Sequence, residues 1–167
     1  MSAIADLVRE ELWTPVDPRA TAMAAAIAAQ YPGSARAVLF YGSCLRETQL
    51  DGLMLDFYLI VSDYGDAYPK HWMAVANRLI PPNVFPFQHD GLIAKYAVLS
   101  EADFDRLNGT ETRNVSVWAR FAQPSRLVWA VDDTAADRAV AAVSRAAPTL
   151  LAAAGRAEGE AVLDWWR

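Results

Sequence analysis

Residues 53–61 read Leu-Met-Leu-Asp-Phe-Tyr-Leu-Ile-Val, one carboxylate set inside eight apolar residues. A run this apolar on both faces of an extended segment predicts a central strand covered on both sides. A carboxylate in such a strand is costly unless a cation or a hydrogen-bond donor meets it. Asp56 therefore marks one of two things. It is a cation site, where oxygen ligands suit Mg²⁺, or it is a strand-end acid bonded to backbone N–H groups.

The rest of the chain alternates helical and extended signals. Residues 3–12 read as a short helix. Residues 18–31 form an Ala-rich helix opened by Pro18, with Met23, Ile27 and Tyr31 at helical spacing and Pro32-Gly33 as its stop. Residues 37–41 form an apolar strand that runs into Gly42, and the polar stretch 44–52 ends in the turn signal Asp51-Gly52. A helix is predicted over 67–80, ended by Pro81-Pro82, then strands over 91–99 and 125–131. Ser100 and Asp103 have the spacing of a helix cap and its box. Helices are predicted over 112–121, 134–146 and 149–165. This alternation predicts a single α/β domain over 1–167, with a mixed central sheet of about four to five strands flanked by helices. Residues 134–167 would form a helical C-terminal extension. Trp165 and Trp166 need burial, either by that last helix packing back on the core or by a continuation of the chain.

Charge narrows the partners. Fifteen basic against twenty acidic residues give −5, which argues against a nucleic-acid binder but leaves room for a small anionic ligand. One cysteine, Cys44, excludes an internal disulfide and fits a reducing compartment. The first residues lack the basic segment and apolar core of a secretion signal, and no apolar run reaches the ~18 residues of a membrane span. A cytoplasmic location follows as the expectation, and the sequons at Asn108 and Asn114 read as chance matches.

Gly42-Ser43 follows a buried strand directly, where glycine lets the backbone approach a phosphate and N–H groups plus a hydroxyl can cradle it. Strand, Gly-Ser, a loop of about ten residues, then a strand bearing an acid is similar to the nucleotidyltransferase pattern. That pattern implies the two strands side by side, with the acid holding Mg²⁺ against the triphosphate that Gly-Ser cradles. Its second strand normally reads acid–apolar–acid. Here it reads Met54-Leu55-Asp56, so Asp56 takes the second acid position and Met54 the first.

One family makes that departure ordinary. Tyr41-Gly42-Ser43, Gln49, Met54-Leu-Asp-Phe57 and Val61-Ser-Asp63 resemble phosphatidate cytidylyltransferases of the mitochondrial translocator assembly and maintenance type. The resemblance continues through Gly91-Leu-Ile-Ala-Lys95-Tyr-Ala-Val-Leu-Ser100, Ala119-Arg120-Phe, Pro124 and Arg126, and covers roughly residues 38–135. It implies a Mg²⁺-dependent enzyme making CDP-diacylglycerol from CTP and phosphatidic acid, peripheral to the inner face of a membrane. It implies that Tyr41, Gly42, Ser43 and Arg120 contact the nucleotide, that Asp56 holds Mg²⁺, and that Lys95 lies near the phosphates. Family members carry a further helical C-terminal region, and this sequence ends near where it would begin. Two alternatives stay open: a nucleotidyltransferase of another substrate, and a non-catalytic nucleotide-binding domain of the same fold.

Several residues carry paired readings. Lys95 either pairs with Asp56 or a phosphate, or snorkels from an exposed strand face. Asp51 either replaces the missing acid of position 54 at the metal or only makes its turn. Asp63 and Asp66 lie near the metal or cap the next helix. Cys44 is a nucleophile or a small loop residue, and His71 sits on a helix surface. Residues 81–87, with Val84, Phe85 and Phe87, read as irregular; they meet acyl chains or bury under the sheet.

Overall fold

The computed structural model describes residues 3–47 and 49–155. They form an α/β domain around a five-stranded mixed sheet flanked by helices. Helices α1 (Ala3–Leu12) and α2 (Pro18–Ala29) precede β1 (Ala35–Tyr41), a 3-10 turn (Ser43–Arg46) and β2 (Met54–Val61). Short helices α3 (Tyr64–Ala67) and α4 (His71–Leu79) lead to β3 (Asn83–His89) and β4 (Leu92–Ser100). The chain continues through α5 (Glu101–Asn108), α6 (Trp118–Phe121), β5 (Ser125–Ala130), α7 (Asp133–Val143) and α8 (Ala146–Gly155). Trp165 and Trp166 lie outside the described residues, as does the second part of the helix expected over 149–165.

The sheet order is β3-β4-β2-β1-β5. β2 is central, as its apolar composition requires, antiparallel to β1 and parallel to β4. Side chains alternate along a strand, so β2 splits into two sets. Leu55, Phe57, Leu59 and Val61 face α2, where Met23, Ala24 and Ile27 join them in one core. Tyr58 and Ile60 face the other way, against Phe104 of α5, Trp118 and Phe121 of α6, and Val140 and Val143 of α7.

Local physics explains where the elements depart from expectation. The helix expected over 67–80 is interrupted at Tyr68-Pro69. The residue before a proline is pushed out of the helical region, and Tyr68 is extended (φ −112°, ψ 127°). Over 112–121 only Trp118–Phe121 is helical. Thr112 Oγ1 and Asn114 Oδ1 instead accept from the N–H groups two residues on, closing local turns that compete with a helix. Ser100 does cap α5, its hydroxyl accepting from the Asp103 N–H.

The largest correction is residues 81–87, which are not irregular. They enter β3, the outer strand, which pairs with β4 through the two-residue turn Asp90-Gly91. Both turn residues have positive φ (47° and 77°), as a type I′ hairpin demands. Pro86 is tolerated because an edge strand leaves one row of backbone groups unpaired. Alternation places Phe85 and Phe87 inward, with their rings against Tyr96. Only Val84 of the three apolar candidates is exposed. The two phenylalanines are therefore partly buried, packed against the core on the α2 side of the sheet. Asn108 is fully buried, so its sequon is structural.

All six tyrosines are held above their ordinary titration range, in each case chiefly by burial. Tyr41 and Tyr68 are pushed up to about 12. A phenol whose folded value is raised contributes stability that is whole below the unfolded value of ~10 and is lost as pH rises through the folded value. The fold should therefore weaken from about pH 10 toward 12. Tyrosinate absorbance and circular dichroism should change together, in one cooperative step. An independent phenol titration centred near pH 10 with native dichroism intact would contradict this burial.

Candidate active site

The strand register brings together residues far apart in sequence. Tyr41 of β1 pairs with Asp56 of β2, and Asp56 pairs with Lys95 of β4. The row extends to Ser125 of β5 and Pro86 of β3, crossing the whole sheet on one face. Helical cover on that face ends at Phe121, whose ring meets Tyr58 and Tyr41 at 5.2 and 6.0 Å. Beyond it Asp56 is half-buried and Met54 is 49 % exposed. The apolar strand thus carries a half-buried carboxylate at the rim of the core.

Asp56 has two different oxygens. Oδ1 lies 3.3 Å from Lys95 Nζ, yet the ammonium is not aligned as a donor, and Oδ1 is buried without a hydrogen bond. Oδ2 faces the backbone of Gly42. A Cβ built on Gly42 would sit 3.4 Å from Oδ2. Gly42 adopts φ 93°, ψ −168°, a region essentially restricted to glycine. This conformation turns the chain into the Ser43–Arg46 turn, closed by the Leu45 N–H donating to the Gly42 carbonyl. The backbone after β1 therefore passes close over the carboxylate, and Ser43 opens onto a cleft of about 440 Å³.

That cleft is cationic. Arg46, Arg120 and Arg126 line it beside Tyr41, Gly42 and Ser43. One acid enters it: Glu11 of α1 pairs with Arg126 at 2.5 Å. Arg120 donates to the Ser116 carbonyl, which holds it over Tyr41. A second, smaller cleft of about 230 Å³ shares Tyr41 and Arg120 and is walled by Lys95, Ala97, Pro82 and Val84. Tyr41 remains a neutral hydrogen-bonding phenol at physiological pH, its pKa raised by burial and then by Tyr58 and Asp56, against the pull of Arg120.

The expected residues separate into two groups. Tyr41, Gly42, Asp56 and Lys95 meet directly across the row, and Ser43 and Arg120 line the adjoining clefts. Asp51 stands apart in its turn, its carboxylate held by Arg19 at 3.0 Å and mostly in solvent. Asp63 caps α3 by accepting from the Gly65 N–H and pairs with Arg78. Burial, and next the Asp56 charge, push the Cys44 thiol up, and it donates to the Met54 carbonyl. Arg46 is a cleft residue that sequence reading missed, and Arg126 was noticed only within the resemblance. Single arginines in a loop and at a strand start carry no pattern of their own.

A divalent cation can be tested against this donor set. Among the described residues no group of three His, Cys, Asp or Glu converges. In this row Asp56 Oδ1 is a buried oxygen lacking a donor. Mg²⁺ is usually held by one or two carboxylates together with substrate phosphates and water. The residues therefore fit Mg²⁺ that arrives with a polyphosphate, and do not form a complete cage for the free ion. No protein-family model matches the chain, and no curated protein matches it in sequence.

Gly42→Ala should destabilise the fold by about 1–3 kcal/mol, the scale of strain for a side chain in that region. It should also push the turn off Asp56. Denaturant unfolding measures the first effect. A neutral substitution would mean that the close approach of Gly42 to the carboxylate is not required.

Proposed function

We propose that the chain is a Mg²⁺-dependent cytidylyltransferase that converts CTP and phosphatidic acid into CDP-diacylglycerol and pyrophosphate, working from the cytoplasm at the inner face of a membrane. The observation that carries this reading is the row Tyr41–Asp56–Lys95 with Gly42 folded over the carboxylate, opening onto the arginine cleft. A triphosphate needs donors and positive charge along its length, and Ser43, Arg46, Arg120 and Arg126 supply both. The nucleotide base is assigned by the family resemblance alone.

In this reading a phosphate oxygen of the acceptor attacks the α-phosphorus of CTP. The new P–O bond forms as the bond to the β-phosphate bridging oxygen breaks, and pyrophosphate leaves. The acceptor is a phosphate anion near neutral pH and needs no general base. Lys95 would hold the acceptor phosphate and developing charge beside Asp56, with Arg120 reaching both clefts. Asp56 would hold Mg²⁺, which when bound neutralises phosphate charge.

A second reading has one specific observation behind it. Met54 shares a face with Asp56, where a second acid would ordinarily stand, and a single carboxylate suits a domain that binds a nucleotide without turning it over. A nucleotidyltransferase of another acceptor fits the same cleft.

Pyrophosphate release with each nucleoside triphosphate, with and without phosphatidic acid, tests these readings together. CTP with phosphatidic acid should give release, and Asp56→Asn should lower it about 100-fold or more, the scale of losing one transition-state electrostatic contact. Triphosphate binding with no release from any pairing would favour the non-catalytic reading. Release with CTP alone among nucleotides but with a different phosphate acceptor would retain the fold assignment and replace the substrate.

A further inference from the structure

The arginine cleft already holds an anion of the protein's own. Glu11 is the one carboxylate among its lining residues, beside Arg46, Arg120 and Arg126. Arg46 and Arg120 are exposed and form no ion pair among the described residues. Arg126 is more enclosed, its side chain 14 % exposed against 46 % for Glu11. Its Nη1 donates both to the Ser125 carbonyl at 2.8 Å and to Glu11 Oε1 at 2.5 Å. A guanidinium takes a carboxylate oxygen and a phosphate oxygen by the same charge-assisted contact. Glu11 therefore occupies donor capacity that a phosphate in the cleft would use.

The side chain has room to leave. A cavity of about 490 Å³ adjoins the cleft and shares Glu11, Gln123 and Pro124 with it. Thr14 and Gln123 give that cavity polar groups, and Leu7, Val8 and Phe121 give it apolar wall. Within α1 only Leu12, the next residue, is buried, so the backbone at Glu11 is anchored while its side chain is not. Rotation of Glu11 off Arg126 thus needs no movement of the core. The carboxylate is half in solvent, so water replaces much of what the ion pair gives up.

We propose that Glu11 is an autoinhibitory carboxylate, which occupies Arg126 in the empty cleft and which a polyphosphate displaces in order to bind along Arg46, Arg120 and Arg126. This rests on the reading of the cleft as the triphosphate seat, and adds the residue that sets the threshold for entry. An anion that reaches Arg126 alone merely exchanges one partner for another. A chain of phosphates gains the other two arginines as well. When the ligand leaves, Glu11 returns, so the enclosed guanidinium is not left without a counter-charge.

Calorimetric titration of the whole chain with inorganic tripolyphosphate, in buffer containing Mg²⁺, tests the proposal without requiring turnover. Glu11→Gln keeps the shape and drops the charge; it should bind about fivefold tighter than the native chain, the scale of one half-exposed ion pair. Glu11→Ala should do the same, with native circular dichroism in both. Glu10→Gln removes the same charge from a side chain that lines the neighbouring cavity but not the cleft, and should leave binding unchanged. In an Arg126→Gln background Glu11→Gln should have no effect, because the donor it releases is gone. Unchanged binding by Glu11→Gln would overturn the proposal. So would weaker binding, which would make Glu11 a positioning residue for Arg126, and so would an equal gain from Glu10→Gln, which would reduce the effect to net charge. If neither the native chain nor any variant binds tripolyphosphate, the cleft is not the triphosphate seat, and the proposed function falls with the autoinhibitory contact. If Glu11→Gln binds more tightly but no nucleoside triphosphate yields pyrophosphate, the contact stands and the proposed reaction falls. If the native chain and Glu11→Gln release pyrophosphate with the same KM for CTP and bind tripolyphosphate equally, the contact falls and the proposed function stands.

Discussion

The cost of placing one carboxylate in the central strand organises this molecule. β2 is apolar because it is covered on both faces, and Asp56 is admissible only because the cover is incomplete on one of them. The α2 side is closed along the whole strand. On the other side the helices stop at Phe121, and the strand carries its charge just beyond that ring. The position of the site is set by where packing ends, not by an insertion or a flexible loop.

That geometry also explains why the neighbours are what they are. A parallel partner on one side and an antiparallel partner on the other bring Lys95 and Tyr41 level with Asp56. Lys95 balances the charge without fully satisfying it, since Oδ1 keeps no aligned donor. Charge-paired but donor-poor is a state that favours an incoming ligand over a permanently closed contact. Gly42 completes the arrangement by removing the side chain that would crowd Oδ2.

Much of this was legible in the sequence, for identifiable reasons. The 53–61 strand, the helix start at Pro18, the cap at Ser100 and the strand after Pro124 rest on strong local signals, and each is present. Asp56 and Gly42-Ser43 were legible because a charge in an apolar run and a glycine at a strand end each demand an explanation. β3 was missed although its hairpin carries Asp90-Gly91, a strong turn signal, because Pro81, Pro82 and Pro86 argue against a strand. Edge position cancels that argument, and edge position is a property of the sheet order. The arginine cleft was illegible for a similar reason. Arg46, Arg120 and Arg126 converge only through the fold, and nothing in their local sequence distinguishes them from surface arginines.

Pro86 has a consequence beyond its own strand. The outer side of β3 is a free sheet edge, the kind of surface along which a second chain can add by backbone pairing. Midway along it the proline offers no N–H, so any strand laid there finds a gap in the ladder. Growth of the sheet by self-addition is discouraged on the flank where Val84 is exposed. The molecule can thus keep a greasy side chain exposed beside an open edge with reduced risk that the two together seed a fibre.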